Sequence, residues 1–295
     1  MRKIFCRPFA AALLIWLFSP ALSAQEPPEY QVLTVTFQDT LMPTDEFEPD
    51  FGRFDAFELQ VSRGDRLLIA ARARTFSPTI VLIAPDEQSF VASPEGQSRE
   101  VFYTTTVPID GTYLLIIRGD SAALGPYRVD CWWAKANSLA PASPGDLCDE
   151  LNFLAAHANA DFFFLKRPPL PGTDPNRRQP SFTLTSALYA RIEDPGRERY
   201  VARMYQGKDF DRADRLFNSL SGKVRFCAGA TWKEEFRPWH TVAGLYRYRR
   251  TFMQMVEEDR EDYRFVRVAF SDYRLAPQVS PYPYVVEIVV GRHHP

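Results

Sequence analysis

Cys227 and His240 are the two residues whose types and spacing come nearest to a catalytic pair. A thiolate beside an imidazole is the arrangement that activates a cysteine nucleophile. Neither residue lies in a recognised context, because the HExxH, CxxC, GxSxG, P-loop and GxGxxG motifs are all absent from the sequence. His240 follows Pro238 and Trp239 in a predicted loop, and Cys227 is better explained as a disulfide partner. We therefore predict no catalytic residue.

The other histidines have structural interpretations. His157 is predicted to end a helix, where an imidazolium interacts favourably with the helix dipole, and His293 and His294 lie at the C terminus. An enzyme is accordingly the alternative hypothesis: a hydrolase of the cell envelope whose site would lie in residues 145–295.

Two groups of acidic residues could supply the hard oxygen ligands that calcium prefers. The first group is Asp39, Asp45, Glu46, Glu48, Asp50 and Asp55, and the second is Asp209, Asp211 and Asp214. The first group lacks the order of a DxDxDG loop, and we interpret it as a solvated acidic loop. The second group lies in the first turn of a predicted helix, where the helix dipole already explains negative charge. We predict no metal site and no cofactor, with calcium left open at the first group.

A basic and aromatic run, residues 246–250 (YRYRR), lies in a predicted strand, and Arg264, Arg267 and Arg274 lie on or near later ones. Such a face could bind an anionic polymer. A solvated face of cross-strand arginine–glutamate pairs explains the same pattern, and we favour that interpretation at the level of sequence.

The chain has 295 residues, of which 45% are hydrophobic and 24% charged, and this composition predicts a folded protein rather than a disordered one. Its first 24 residues have a basic start, an apolar run and small residues ending at Ala24, the pattern of a secretory signal peptide. We expect cleavage after Ala24, with Ser23 nearly as suitable. The remaining chain carries a formal net charge of −5 and no apolar run that could span a membrane. We predict a periplasmic or extracellular protein that binds no nucleic acid.

Three cysteines remain after the signal peptide, and their thiols can oxidise outside the cytoplasm. Cys148 opens one predicted helix and Cys227 follows another, and two helices on one face of a sheet can bring such positions together. We therefore favour a Cys148–Cys227 disulfide. Cys131 points into a predicted β-sandwich, and we expect it to be free and buried. A Cys131–Cys148 pairing stays open, because spacing alone does not fix connectivity.

The first part of the chain reads as all-β. Runs rich in β-branched and aromatic residues alternate with turn signals such as Gly64-Asp65 and Asp110-Gly111, with no helical period, as in a sandwich or a small barrel. The predicted strands are residues 57–61, 66–73, 79–84, 101–107, 112–118 and 127–133.

The order of several segments in this part resembles the bacterial pre-peptidase C-terminal domain. The segments are FDAFEL (54–59), GDRLLI (64–69), FSPTIVLIAPDEQ (76–88), PIDGTYLLIIRG (108–119) and GPYRV (125–129). The resemblance covers residues 30–133 and implies a jelly-roll-like β-sandwich with a binding or accessory role, in a family of which some members bind calcium. Two features depart from the family: the module precedes the rest of the chain, and Glu87-Gln88 stand where a glycine is usual.

Residues 134–144 (AKANSLAPASP) have the small, polar, proline-containing composition of a linker. The formal net charge changes across them, from −8 for residues 25–144 to +3 for residues 145–295. We therefore predict a signal peptide at 1–24, a β-sandwich at 25–133, a linker at 134–144 and a second domain at 145–295.

The second domain is predicted to be α+β, with two helices and a mostly antiparallel sheet. Its first helix is predicted to begin after an N-cap at Ser143, and its second to be capped by Asp209 and to end near Gly222. The predicted strands are residues 162–166, 182–192, 200–205, 244–253, 263–270 and 284–290. The sequence thus favours a non-catalytic binding or accessory protein whose partner is a protein or an envelope polysaccharide.

Overall fold

The computed structural model describes residues 30–49, 51–168, 174, 176–193, 198–242, 245–257 and 262–293. The predicted signal peptide, with its cleavage site at Ala24, and Asp50 lie outside these residues. The described chain is mostly β, with antiparallel sheets and two α-helices.

Two sheets and one core account for the first part of the chain. A four-stranded sheet has the order β1-β9-β4-β7, and a five-stranded sheet has the order β2-β3-β8-β5-β6. Alternate residues of β8, Tyr113, Leu115 and Ile117, are fully buried and pack in one cluster with Leu67 and Ile69 of β4. The strands are β1 Val32–Leu41, β2 Phe47–Glu48, β3 Gly52–Val61, β4 Arg66–Ala73, β5 Thr79–Ile83, β6 Ser89–Ala92, β7 Glu100–Thr106, β8 Gly111–Arg118 and β9 Gly125–Ala134.

A seven-stranded antiparallel sheet and two helices account for the second part. The sheet order is β10-β11-β12-β16-β15-β14-β13. Its strands are β10 Arg177–Arg178, β11 Tyr189–Glu193, β12 Arg199–Gly207, β13 Lys233–Val242, β14 Leu245–Glu257, β15 Asp262–Asp272 and β16 Tyr284–His293; the helices are α1 Leu147–His157 and α2 Phe210–Ala228. One face of the sheet, including Val268 and Ile288, is apolar and forms a core with the helices. The other face bears most of the charged side chains.

Both predicted helix boundaries need correction. Ser143 does not cap α1: Gly145 turns the chain at φ +96°, and the carboxylate of Asp146 accepts from the backbone N–H of Cys148 at 2.8 Å. The second helix passes through Gly222, because the apolar stripe continues to Val224, and it ends at Gly229 with a positive φ.

Two predicted strands and one predicted loop in the second part were also wrong. Residues 162–166 are not a strand: Asp161 and Phe162 have left-handed φ angles, and residues 163–165 form a 3-10 turn. The strand predicted from residue 182 begins only at Tyr189, since Leu184 and Thr185 donate their backbone N–H groups to side chains. His240 lies in β13, not in a loop; Pro238 is tolerated there because the ladder is bulged between Arg237 and His240.

The segment predicted as a linker is packed against both parts of the chain. Its residue Ser138 is fully buried, accepts from the backbone N–H of Gln31, and offers its carbonyl to His157. A single hydrophobic cluster contains Tyr30 and Val32 together with residues of α1 such as Phe153 and Leu154.

Tyr30 also forms a polar contact with α1. Its hydroxyl donates to Asp149 at 2.6 Å and accepts from the backbone N–H of Ala142 at 2.6 Å. The other carboxylate oxygen of Asp149 accepts from the N–H of Ser143. Asp149 thus bonds the start of the first sheet to the segment that precedes its own helix.

His157 is not the charged helix-end residue that the sequence predicts. It is fully buried between the rings of Phe153 and Phe164, and its Nε2 lies 2.8 Å from the carbonyl oxygen of Ser138. Burial lowers its pKa to about 4, so the ring is neutral at pH 7 and Nε2–H donates this bond.

Stability should therefore fall as the pH is lowered from 6.5 towards 4. In that window the unfolded chain binds a proton at His157 and the folded chain does not, which costs up to about 3 kcal/mol. Urea unfolding of the wild type and His157→Gln at pH 7.5 and pH 5 measures this, since glutamine keeps a donor and does not titrate. The wild type should lose more stability on acidification than the variant. Equal losses would contradict the assignment.

Candidate functional site: an arginine-lined cleft

The sheet register gathers arginines on the face that the helices leave uncovered. Residues paired across neighbouring antiparallel strands lie on the same face. One row crosses six strands as Tyr189, Arg203, Glu287, Ala269, Arg249 and Arg237. The adjoining row is Arg191, Val201, Val289, Arg267, Thr251 and Glu235. Each strand thus contributes every second residue to a polar surface, while the intervening residues fill the core.

This face contains an open cleft of about 450 Å³. Six arginines and two glutamates line it, an excess of four positive charges: Arg177, Arg191, Arg199, Arg203, Arg247 and Arg267, with Glu193 and Glu287. The segment between β15 and β16 completes the wall with Tyr273 and residues 279–282.

The two glutamates neutralise one side of the cleft. Glu287, which is only 9% exposed, accepts from Arg203 at 2.9 Å and from Arg191 at 3.2 Å. Glu193 pairs with Arg191 and, at 3.6 Å, with Arg199. Burial alone would lower the pKa of Arg191, but the two carboxylates outweigh it and raise that pKa. On this side of the cleft, the arginines and glutamates form ion pairs with one another.

The other side, lined by Arg247 and Arg267, has guanidinium groups without such partners, and Arg249 lies next to them on the same face, outside the cleft lining. Within the described residues, no carboxylate forms an ion pair with Arg247, Arg249 or Arg267; Arg267 donates only to the hydroxyl of Thr251, at 3.1 Å. Burial and the positive charges of Arg249, Arg199 and Arg247 lower the pKa of Arg267 to about 10. Burial, followed by Arg237, also lowers the pKa of Arg249. Like charges are therefore crowded here in a partly dehydrated surface.

Tyrosine rings border the cleft. The Tyr189 ring lies 5.3 Å from the guanidinium carbon of Arg203 and 5.9 Å from that of Arg191, both within cation–π range. Tyr273 and Tyr282 lie on the opposite wall. Arginine forks and aromatic edges together suit an anionic ligand that also has apolar or sugar-like surface.

The basic and aromatic residues picked out in the sequence divide between the two faces. Arg247, Arg249 and Arg267 lie on the open face, whereas the ring of Tyr248 contacts those of Phe217 and Trp239 on the helix side of the sheet. Arg264 lies on the helix side and donates to Gln254. Arg274 follows β15 and pairs with Asp272.

Six of the eight charged cleft residues were not predicted from the sequence: Arg177, Arg191, Glu193, Arg199, Arg203 and Glu287. Those of β11 and β12 had a usable signal, since Tyr189, Arg191 and Glu193, like Arg199, Val201 and Arg203, alternate with partly or fully buried residues. Glu287 is the one acidic residue inside the apolar run of β16, and a lone buried carboxylate calls for a cationic partner.

The Cys227 and His240 pair does not form a catalytic site. Cys227 is bonded to Cys148, with their Cα atoms 4.8 Å apart, and Cys131 is free and buried. The side chain of His240 contacts the carbonyl of Pro238.

Three carboxylates of the acidic group in the first part accept local hydrogen bonds. Asp55 accepts from the hydroxyl of Tyr127 at 2.6 Å, and Asp39 and Asp45 accept from nearby backbone N–H groups. Asp209 caps α2 through the N–H of Arg212. In the part of the chain that the structure describes, no three His, Cys, Asp or Glu side chains are grouped to hold a metal ion.

Among the described helices, none has the length and apolar character needed to cross a bilayer. No protein-family model and no curated protein matches the chain.

Three solved structures have weak similarity to parts of the chain. The 1.0 Å crystal structure of the pre-peptidase C-terminal domain of collagenase from Bacillus anthracis has 16% identity and a TM-score of 0.27, covering 34% of this chain and 89% of that one. Aeromonas hydrophila PliG, a periplasmic inhibitor of g-type lysozyme, has 11% identity and a TM-score of 0.26, covering 35% of this chain and 87% of that one. A structure of disulfide-linked pili from Bacillus endospore appendages has 14% identity and a TM-score of 0.22, covering 39% of this chain and 97% of that one.

Proposed function

We propose that this protein is a non-catalytic, exported binding or accessory protein that holds an anionic partner in the arginine-lined cleft. The observation that carries the proposal is the set of cleft arginines that the cleft's own glutamates do not neutralise. Partly buried positive charges without counter-charges are unfavourable on their own, and an anionic partner supplies the missing charge.

The proposed architecture is a jelly-roll-like β-sandwich of the pre-peptidase C-terminal type at residues 25–133, followed by an α+β recognition domain at 145–295. Support comes from the DGTY and GPY segments and from the two sheets that share one core. Gly111 and Gly125, which open the strands of those segments, both have positive φ angles that favour glycine.

Export to the periplasm or beyond is part of the proposal. It is supported by the signal-peptide pattern of residues 1–24 and by the disulfide, a bond that is stable in oxidising compartments. N-terminal sequencing of the exported protein should begin at Ala24 or Gln25; a chain retained in the membrane with Met1 intact would contradict export.

Binding to an acidic polysaccharide tests the proposed site. We expect the full mature chain to bind polygalacturonate and not neutral dextran, with an affinity that falls steeply as salt is raised. Arg247→Glu should weaken binding at least tenfold, because it reverses a cleft charge that has no ion-pair partner among the described residues. Arg215→Glu, on the exposed side of α2, is the matched control and should bind like the wild type.

The same experiment separates the proposal from its alternatives. Shortening of the polymer during incubation would favour an envelope hydrolase. Equal loss of binding in Arg247→Glu and Arg215→Glu would mean that net charge, and not the cleft, governs binding.

A further inference from the structure

Arg247, Arg249 and Arg267 form a compact group on β14 and β15, called here the arginine trio. Arg249 and Arg247 are two residues apart on one strand, so their side chains share a face. Arg267 pairs with Thr251, which makes it the diagonal neighbour of Arg249, at roughly 7–8 Å between backbones. Guanidinium groups on long side chains can converge over such a distance.

The arginine trio has donors without acceptors. The buried Nε atoms of Arg247 and Arg249 have no hydrogen-bond partner among the described residues. Arg191 Nη1 and Arg199 Nε also have no partner, but Arg191 and Arg203 share the carboxylate of Glu287 on the same face. Glu235, which pairs with Arg237, acts on Arg249 and Arg267 through its charge but forms no ion pair with either. This face thus contains one arginine group bonded to a carboxylate and a second group with no carboxylate in direct contact among the described residues.

We propose that the arginine trio is a subsite for a tetrahedral oxyanion, a sulfate or phosphate group carried by an envelope glycan. The inference rests on the proposed function and specifies the ligand class of the same cleft. A carboxylate is planar, carries one charge and is satisfied by a single guanidinium fork, as Glu287 illustrates. A sulfate or phosphate ester has three free oxygens in three directions, which matches three arginines.

The surroundings favour a glycan as the carrier. An extended peptide is usually recognised through backbone bonds at a sheet edge, whereas the trio lies on the face of inner strands, where only side chains are presented. Tyr189 and Tyr282 are exposed aromatic residues at the cleft walls, and the side-chain amide of Gln206 there can bond to a hydroxyl group of a sugar. From Arg191 to Arg267 the cleft crosses three strand spacings, about 14 Å, more than a single anion fills.

The arginine trio can be tested by thermal unfolding of the full mature chain. In chloride buffer, Arg267→Gln should raise the Tm by about 2 °C or more, because it removes a partly buried charge that its neighbours repel. At equal ionic strength, inorganic phosphate or sulfate should raise the Tm of the wild type more than acetate does, and by more than the general stabilisation that the same ions give to Arg267→Gln. Arg267→Lys should recover part of the response, and Arg215→Gln should behave as the wild type does.

Calorimetry with polymers identifies the carrier. Sulfated dextran should bind the wild type at least tenfold more tightly than Arg267→Gln, and more tightly than polygalacturonate does. A lower Tm of Arg267→Gln in chloride, or equal responses of the wild type and Arg267→Gln to sulfate, would overturn the subsite. If inorganic phosphate stabilises the wild type but sulfated dextran does not bind, the glycan carrier is wrong. If polygalacturonate binds but the protein shows no specific response to sulfate or phosphate, the subsite is wrong and the proposed function stands. If no polymer binds, both the subsite and the proposed function are wrong.

Discussion

Replacing Cys148 and Cys227 together by serine should lower the free energy of unfolding by about 4 kcal/mol. The two cysteines are 79 positions apart, so the disulfide restricts a long stretch of the unfolded chain that holds β10, β11, β12 and most of α2. In the folded protein the bond joins the start of α1 to the end of α2, and both sulfurs are only half-buried, so serine leaves little strain or empty space. The loss should appear in urea unfolding as a lower midpoint.

A reducing agent gives the internal control for this experiment. Dithiothreitol should destabilise the wild type by a similar amount and should not affect the double serine variant. Cys131→Ala keeps the disulfide and should stay sensitive to dithiothreitol. Burial raises the pKa of the Cys131 thiol to about 12, so alkylation should reach it only after unfolding. A double variant as stable as the oxidised wild type would refute the stabilising role of the disulfide.

Asp149→Ala should lower the free energy of unfolding by about 3 kcal/mol, which is the second large effect that we expect. The substitution leaves the buried hydroxyl of Tyr30 and the partly buried N–H of Ser143 without their acceptor. Tyr30→Phe should cost less, because the carboxylate keeps the bond from Ser143. The double variant should be more stable than the sum of the two losses predicts, since both substitutions remove the same bond. Asp211→Ala, on the exposed first turn of α2, is the control and should change stability by less than about 0.5 kcal/mol.

The shape of the unfolding curve carries further information. Tyr30 precedes the first sheet and Asp149 lies in α1, so loss of their bond affects the contact between the two parts of the chain. Coincident transitions by fluorescence and circular dichroism would show that the parts unfold together. Additive losses in the double variant would mean that Tyr30 and Asp149 act independently, contrary to the geometry.

Local patterns in the sequence foresaw much of the fold, and the exceptions have physical causes. Six strands of the first part were predictable because alternation and turn glycines are short-range signals; β8, with Tyr113, Leu115 and Ile117 buried, is the clearest case. The strand β1 and the short strands β2 and β6 were not predicted. Residues 182–188 were wrongly predicted as part of a strand. Backbone N–H groups in this segment bond to the side chains of Tyr200 and Glu150, which lie outside any short window of the sequence. Gly222 is tolerated inside α2 because the packing of Phe217 and Val224 outweighs the helix propensity of one residue.

The cleft was harder to foresee than the strands that build it. Arg191, Arg203, Arg249 and Arg267 come from four strands, and only the register of the folded sheet places them together. The cleft residues of β14 and β15 were predictable, because the basic run in these strands is conspicuous in the sequence. Arg264 and Arg274 could not be separated from them, since the sequence does not show which side of each strand faces the helices.

The outer strand β13 has a consequence for how copies of this chain meet. Its far side lacks a neighbouring strand within the described sheet, which elsewhere invites a second molecule to add its own strand. Pro238 removes one backbone donor, the bulge after Arg237 interrupts the regular spacing, and Lys233, Glu234 and Glu235 place charges at its beginning. Concentrated solutions of the folded protein should therefore resist edge-to-edge polymerisation and the growth of fibrils from this side.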